Sequence, residues 1–144
     1  MNKSLLKYSS ILTYLGILPF WISAIAFHLK IAEKDSLFLF STYGSVIVSF
    51  ISGIHWGINI EKSYSKKIWL IFTSNIVALI AWGAIIIPKP IISLSMLIFC
   101  FIILLWIDFK IYKIGWIELW FIRLRTSATF LVILPILLVL SGFL

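Results

Sequence analysis

The chain has 144 residues, of which 62% are hydrophobic and only 12% charged, and its mean hydropathy is +1.16. So little polar surface cannot cover a water-soluble core, which excludes most soluble classes and leaves a protein embedded in a bilayer. The net charge of +7 is spread over short loops beside apolar runs, so it reads as membrane topology and not as a nucleic-acid footprint.

Crossing a hydrocarbon core of about 30 Å takes roughly 20 helical residues. Five runs meet that length, near residues 11–27, 37–58, 68–87, 91–107 and 126–143, and together they fill the chain with no room for a separate soluble domain. Backbone in lipid must satisfy its own hydrogen bonds, and runs without polar alternation do not suit barrel strands. The expected fold class is therefore all-α: one polytopic integral membrane domain over residues 1–144, with five transmembrane helices and a short interfacial segment before the last.

The first run follows Lys3 and Lys7 and ends in Ala24-Ile25-Ala26, which also fits a signal peptide cleaved before Phe27. Pro19 and Trp21 inside the apolar stretch argue against cleavage, so a retained first span is expected. Pro19 predicts a kink there, as Pro135 does in the fifth run.

The second run carries the clearest two-faced pattern. Phe40, Tyr43, Ile47, Phe50, Ile51, Ile54 and Ile58 fall on one side of a helical wheel, while Ser41, Ser45, Ser49, Ser52, Gly53, His55, Trp56, Gly57 and Asn59 fall on the other. The second side is expected to pack against protein. Within it, Ser45, Ser49, Gly53 and Gly57 recur every four residues, a small-residue ridge that lets another helix approach closely. Packing within the chain is the expectation, with a homodimer seam as the alternative. His55, one turn from Asn59, is then turned toward protein, either as a structural bridge or as a functional group at membrane depth.

The third run opens with Thr73, Ser74 and Asn75. The fourth contains the lone Cys100, expected as a packing residue, and ends at Asp108, an anion at a helix C-terminus that needs a cation such as Arg123, Arg125 or Lys110 beside it. Residues 109–125, divided by Gly115, are expected to form an interfacial half-helix anchored by Lys113, Trp116, Trp120 and Arg123.

Orientation follows from the loop cations. Lys3, Lys7, Lys62, Lys66, Lys67, Lys110, Lys113, Arg123 and Arg125 share one side, against Lys30, Lys34 and Lys89 on the other. The N-terminus is accordingly expected in the cytoplasm and the C-terminus outside. His55, Trp56, Asn59, Asn75, Asp108, Arg123 and Arg125 then lie toward the cytoplasmic face as candidate ligand or partner contacts. His28 and His55 sit in opposite leaflets, and a single cysteine supplies no thiolate cluster, so no metal ligand, catalytic residue or cofactor is predicted.

Tyr14-Leu15-Gly16 with Pro19-Phe20, Tyr43-Gly44, the block Ser49-Phe50-Ile51-Ser52-Gly53-Ile54-His55-Trp56-Gly57, Ala81-Trp82, Asp108, Trp120 and Arg123-Leu124-Arg125 together make the chain resemble the transmembrane protein 69-like family, whose bacterial members are known as a domain of unknown function. Phe121 and Ser74-Asn75-Ile76 depart from that pattern. The resemblance implies a five-span protein of the bacterial inner membrane and no established biochemistry. The expected role is a non-catalytic accessory or assembly component that meets the bilayer and another membrane protein or a second copy of itself. A small carrier or pore using the cytoplasmic-side polar cluster is the alternative, and an enzyme comes third, since His55 and Ser52 alone lack an orienting partner and an oxyanion donor.

Overall fold

The computed structural model describes residues 3–31, 33–62 and 67–143. Lys66, one of the cations counted above, lies outside them. The described residues form six helices and no strand: α1 (Lys3–Leu15), α2 (Leu18–His28), α3 (Glu33–Glu61), α4 (Ile68–Ile86), α5 (Pro90–Lys113) and α6 (Leu119–Ser141). α1 and α2 together make the first of five segments long and apolar enough to cross a membrane, and α3 to α6 make the rest.

Several helices run past their expected ends, α3 and α5 with charged residues that suit the ends of the helix dipole. α3 begins with Glu33 and Asp35 in its first turn, where anions offset the positive end of the helix dipole. α5 continues to Lys113, with Lys110 and Lys113 in its last turn. Lys110 lies over the Trp106 ring at 3.6 Å and within 5.6 Å of the Trp69 ring, so its charge is held by aromatic faces at the helix end. α6 starts at Leu119, seven residues before the expected start at Thr126. The half-helix expected over residues 109–125 is therefore absorbed into α5 and α6, and the interfacial segment shrinks to residues 114–118. Gly115 makes this turn possible: at φ 75° it occupies the left-handed region, while the Gly115 and Trp116 N–H groups bond to the Tyr112 and Ile111 carbonyls.

Beside each of the two intramembrane prolines, Pro19 and Pro135, a carbonyl without its helical donor is met by an aromatic side chain from another helix. The first span breaks at Gly16–Ile17 ahead of Pro19, so the Phe20 N–H bonds to Ile17 in place of Gly16. The Tyr43 hydroxyl of α3 donates to the released Gly16 carbonyl at 2.9 Å. In α6, Pro135 has no N–H for the Leu131 carbonyl, and the Trp21 indole of α2 donates to it at 3.1 Å.

The core lies where α2, α3, α4, α5 and α6 meet. The Phe20 ring packs edge-on to Phe40, Tyr43 and Phe101 at centroid distances of 5.3, 5.1 and 6.0 Å. Gly44 faces this cluster so closely that an added Cβ would lie 2.8 Å from Leu97 Cδ1. Small polar side chains join α3, α4 and α5: Ser45 Oγ donates to the Ala81 carbonyl at 2.6 Å, Ser93 Oγ to the Ala84 carbonyl at 2.6 Å, and Ser41 bonds to Ser93. Cys100 is fully buried in the same seam, its thiol directed to the Val77 carbonyl.

The packed arc of α3 is rotated from the expected one. Phe40, Gly44, Ser45, Val48, Ile51, Ser52, His55 and Asn59 are buried, whereas Ser49, Gly53, Trp56 and Gly57 are exposed. Nothing lies within 4 Å of a Cβ built on Gly53 or Gly57. The small-residue ridge thus divides. Its Ser45 end packs on α4, but four-residue spacing drifts around a helix of 3.6 residues per turn, which carries Gly53 and Gly57 out of the interface. Intramolecular packing of Ser49, Gly53 and Gly57 was the expectation, and this drift corrects it.

Candidate functional site

Three helical faces converge toward the lysine-rich ends of the spans. On α5 the buried positions Leu97, Cys100, Leu104, Ile107 and Asp108 follow a spacing of three and four, so a carboxylate sits on an otherwise apolar seam. On α6 the buried positions Ile122, Arg125, Thr129, Val132, Ile136 and Val139 do the same. Arg125 lies on that seam and Arg123 does not. α3 brings His55 to the same place.

The three charged or titratable side chains form one network. Asp108 Oδ1 accepts from His55 Nε2 at 2.8 Å, and Asp108 Oδ2 accepts from Arg125 Nε at 2.8 Å. His55 and Asp108 are fully buried, and Arg125 is 8% exposed. An ionised carboxylate only accepts, so the Nε2 of His55 carries the proton in this bond, and its Nδ1 has no partner among the described residues. Arg125 answers the requirement for a cation beside Asp108, offsetting the unfavourable end of the α5 dipole. His55 lies six residues before the end of α3 and Arg125 six residues after the start of α6, so the network sits about 9 Å inside the helix ends.

Polar atoms around the network remain unsatisfied. His55 Nδ1, Ser52 Oγ, Arg125 Nη2, Thr129 Oγ1 and Trp120 Nε1 are buried with no hydrogen-bond partner among the described residues. Each such group forfeits its solvation on folding, at a cost of about 1–3 kcal/mol, and more for a charged one.

The remaining predicted residues separate from this cluster. Asn59 is buried, and its Oδ1 accepts the Lys67 N–H at 2.9 Å, which caps the start of α4. Asn75 is exposed and bonds back to the Ile71 carbonyl of its own helix. Trp56 is exposed on the outer side of α3, and Arg123 lies on an open groove between α1 and α6 with Tyr14, Glu118 and Ser127. Of the seven candidate contacts, the geometry brings together His55, Asp108 and Arg125. Thr129 and Ser52 belong beside them. Their signal in the sequence was helical spacing alone, Thr129 standing one turn beyond Arg125 and Ser52 one turn before His55.

A cleft of about 580 Å³ opens beside the network. α1 packs on α6, where the Tyr14 hydroxyl meets Ser127 Oγ at 3.1 Å, and leaves a gap against α3. The wall is mainly apolar, with Leu12, Ile47, Ile51, Phe101 and Val132, while Arg125 and Thr129 supply polar groups from α6. Leu12, Val46 and Phe50 are exposed along it, so the cleft faces the space that lipid fills around a membrane bundle. Among the described residues no group of three or more His, Cys, Asp or Glu side chains is arranged to hold a metal ion.

No curated protein and no solved structure shows significant similarity to the chain. A family model described as "Protein of unknown function (DUF3429)" matches residues 6–141, which take in the six helices but for the first three residues of α1, and all three members of the buried network. The chain belongs to the DUF3429 family of proteins of unknown function.

Proposed function

We propose that the protein is a non-catalytic membrane component that holds a hydrophobic or amphipathic molecule in the cleft between α1, α3 and α6, with Arg125 and its network as the polar wall. The observation that carries this reading is the pair Arg125 and Thr129. Both are more than nine-tenths buried, both keep an unpartnered polar atom, and both line an otherwise apolar cleft. Ionisable groups at membrane depth are expensive and persist where function requires them. The volume lies within the range of about 300–1,000 Å³ typical of small-molecule sites.

The proposal places the protein in a bacterial inner membrane with its N-terminus in the cytoplasm, supported by the excess of cations at the end where the network lies. It also includes kinship with the transmembrane protein 69-like family, supported by the Ser49 to Gly57 block. The test is extraction into native-like lipid particles, followed by mass spectrometry of the intact protein. A defined bound molecule, displaced when the exposed cleft residue Val46 is changed in Val46→Trp, is expected. Identical, bilayer-average lipid on both proteins would remove the reading.

One observation favours a second role, as an accessory subunit. Gly53 and Gly57 leave α3 open to close approach by a further helix, with Trp56 exposed beside them. A stoichiometric foreign subunit lost in Gly53→Leu is its expected signature.

A further inference from the structure

The unpartnered side-chain atoms of the residues that line the cleft are mostly donors, and this restricts what can sit there. Arg125 Nη2 and Trp120 Nε1 only donate, and the Thr129 hydroxyl can do so. The acid beside them does not serve these donors: one Asp108 oxygen takes His55 and the other takes Arg125 Nε, while Arg125 Nη2, Trp120 Nε1 and Thr129 Oγ1 keep no partner. A group that satisfies this wall must therefore bring oxygen acceptors.

Charge narrows the class. The positive charge of Arg125 is already offset by Asp108, so a multiply charged head would leave a large excess of negative charge in a site with little solvent. An acid of at most one charge, able to arrive with its proton, fits the balance better. The cleft itself suits a single chain. It runs along α6 from Trp120 to Val132, about 18 Å at the helical rise, and its volume of about 580 Å³ suits one small ligand.

Orientation agrees with this geometry. Arg125 and Trp120 lie toward the lysine-rich ends, while Val132 and Phe101 line the deeper part. A molecule entering between α1 and α3 would keep its head toward the interface and its tail toward the bilayer centre, as it lay in the leaflet.

We infer that the ligand is a single-chain amphiphile with an acidic, oxygen-rich head, the chemistry of a long-chain carboxylic acid, seated with its head oxygens on Arg125 and Thr129. This rests on the cleft reading above and deepens it. The tail packs on Ile47, Ile51, Phe101 and Val132.

The experiment uses the full chain in discs of neutral phosphatidylcholine, photolabelled with a long-chain fatty acid carrying a diazirine. Competitors are the unlabelled acid, the alcohol of the same chain length and phosphatidylglycerol. Labelling is expected on α1, α3 and α6. The acid should displace the probe at least about tenfold better than the alcohol, since the alcohol forfeits the charge-assisted hydrogen bonding of the acid head to Arg125. Thr129→Val should shrink that preference severalfold at unchanged helicity, and Val46→Trp, at an exposed position, should block labelling. Equal competition by acid and alcohol would overturn the acidic head and leave the cleft reading standing. Displacement by phosphatidylglycerol but not by the free acid would overturn the single chain. Absence of cleft labelling, or labelling indifferent to Val46→Trp, would overturn both.

Discussion

The Asp108–Arg125 pair should behave as a unit whose halves cannot be removed separately. At 2.8 Å, opposite unit charges attract by about 6 kcal/mol at an effective dielectric constant of roughly 20, and much of that repays the desolvation of two buried groups. With side-chain exposures of 10% for Arg125 and 1% for Asp108, neither survivor of a single replacement can recover its solvation. Arg125→Met is expected to destabilise by about 3–5 kcal/mol. Asp108→Leu should cost as much plus about 1–3 kcal/mol, because the His55 Nε2–H loses its acceptor too. The double variant removes both charges and retains mainly the histidine penalty. Reversible unfolding in mixed micelles, run as a double-mutant cycle, should give a coupling above about 3 kcal/mol. Additivity within about 0.5 kcal/mol would refute the reasoning, since that is the behaviour of independent sites.

Four further outcomes are expected. Thr129→Val removes a buried hydroxyl without a partner at little change in shape, so melting in detergent should show unchanged or greater stability. Tyr43→Phe strips the donor from the Gly16 carbonyl and should cost about 1–3 kcal/mol in the same micelle titration. Gly115→Ala, at φ 75°, should lose about 1 kcal/mol, whereas Lys30→Gly, where φ is 56°, should gain a similar amount; thermal melts of the pair read opposite signs. Gly44→Val should destabilise by about 1–3 kcal/mol through overlap with buried Leu97, while Gly53→Val, on the open side of the same helix, should leave monomer stability within about 0.5 kcal/mol.

The spans were legible because lipid makes the rule simple: length and apolarity decide, and tertiary packing rarely overrules them. The need of Asp108 for a cation was legible as well, from the helix dipole. Arg125 was not singled out from Arg123 and Lys110, although the spacing of Ile122, Thr129, Val132 and Ile136 places Arg125 alone on the packed seam of α6. Gly53 and Gly57 misled for a different reason. In a membrane the hydrophobic face of a helix no longer marks the core, so serines and glycines suggested an interface that tertiary contacts supply elsewhere on α3. The cleft had no signature in the sequence, since it depends on how far α1 stands from α3.

The short turn at residues 114–118 also bears on how the protein enters the bilayer. Inserted singly, α5 would carry the Asp108 charge and α6 the Arg125 charge into lipid, each at a penalty of up to about 2.5–3.5 kcal/mol near the middle of a span and less toward its ends. The two residues are 17 apart in sequence and their helices are joined by only five residues, so they can meet before either helix finds another partner. As a helical hairpin leaving the insertion machinery together, the last two spans present lipid with a neutral pair. A turn this short at Gly115 would couple the entry of α5 to that of α6.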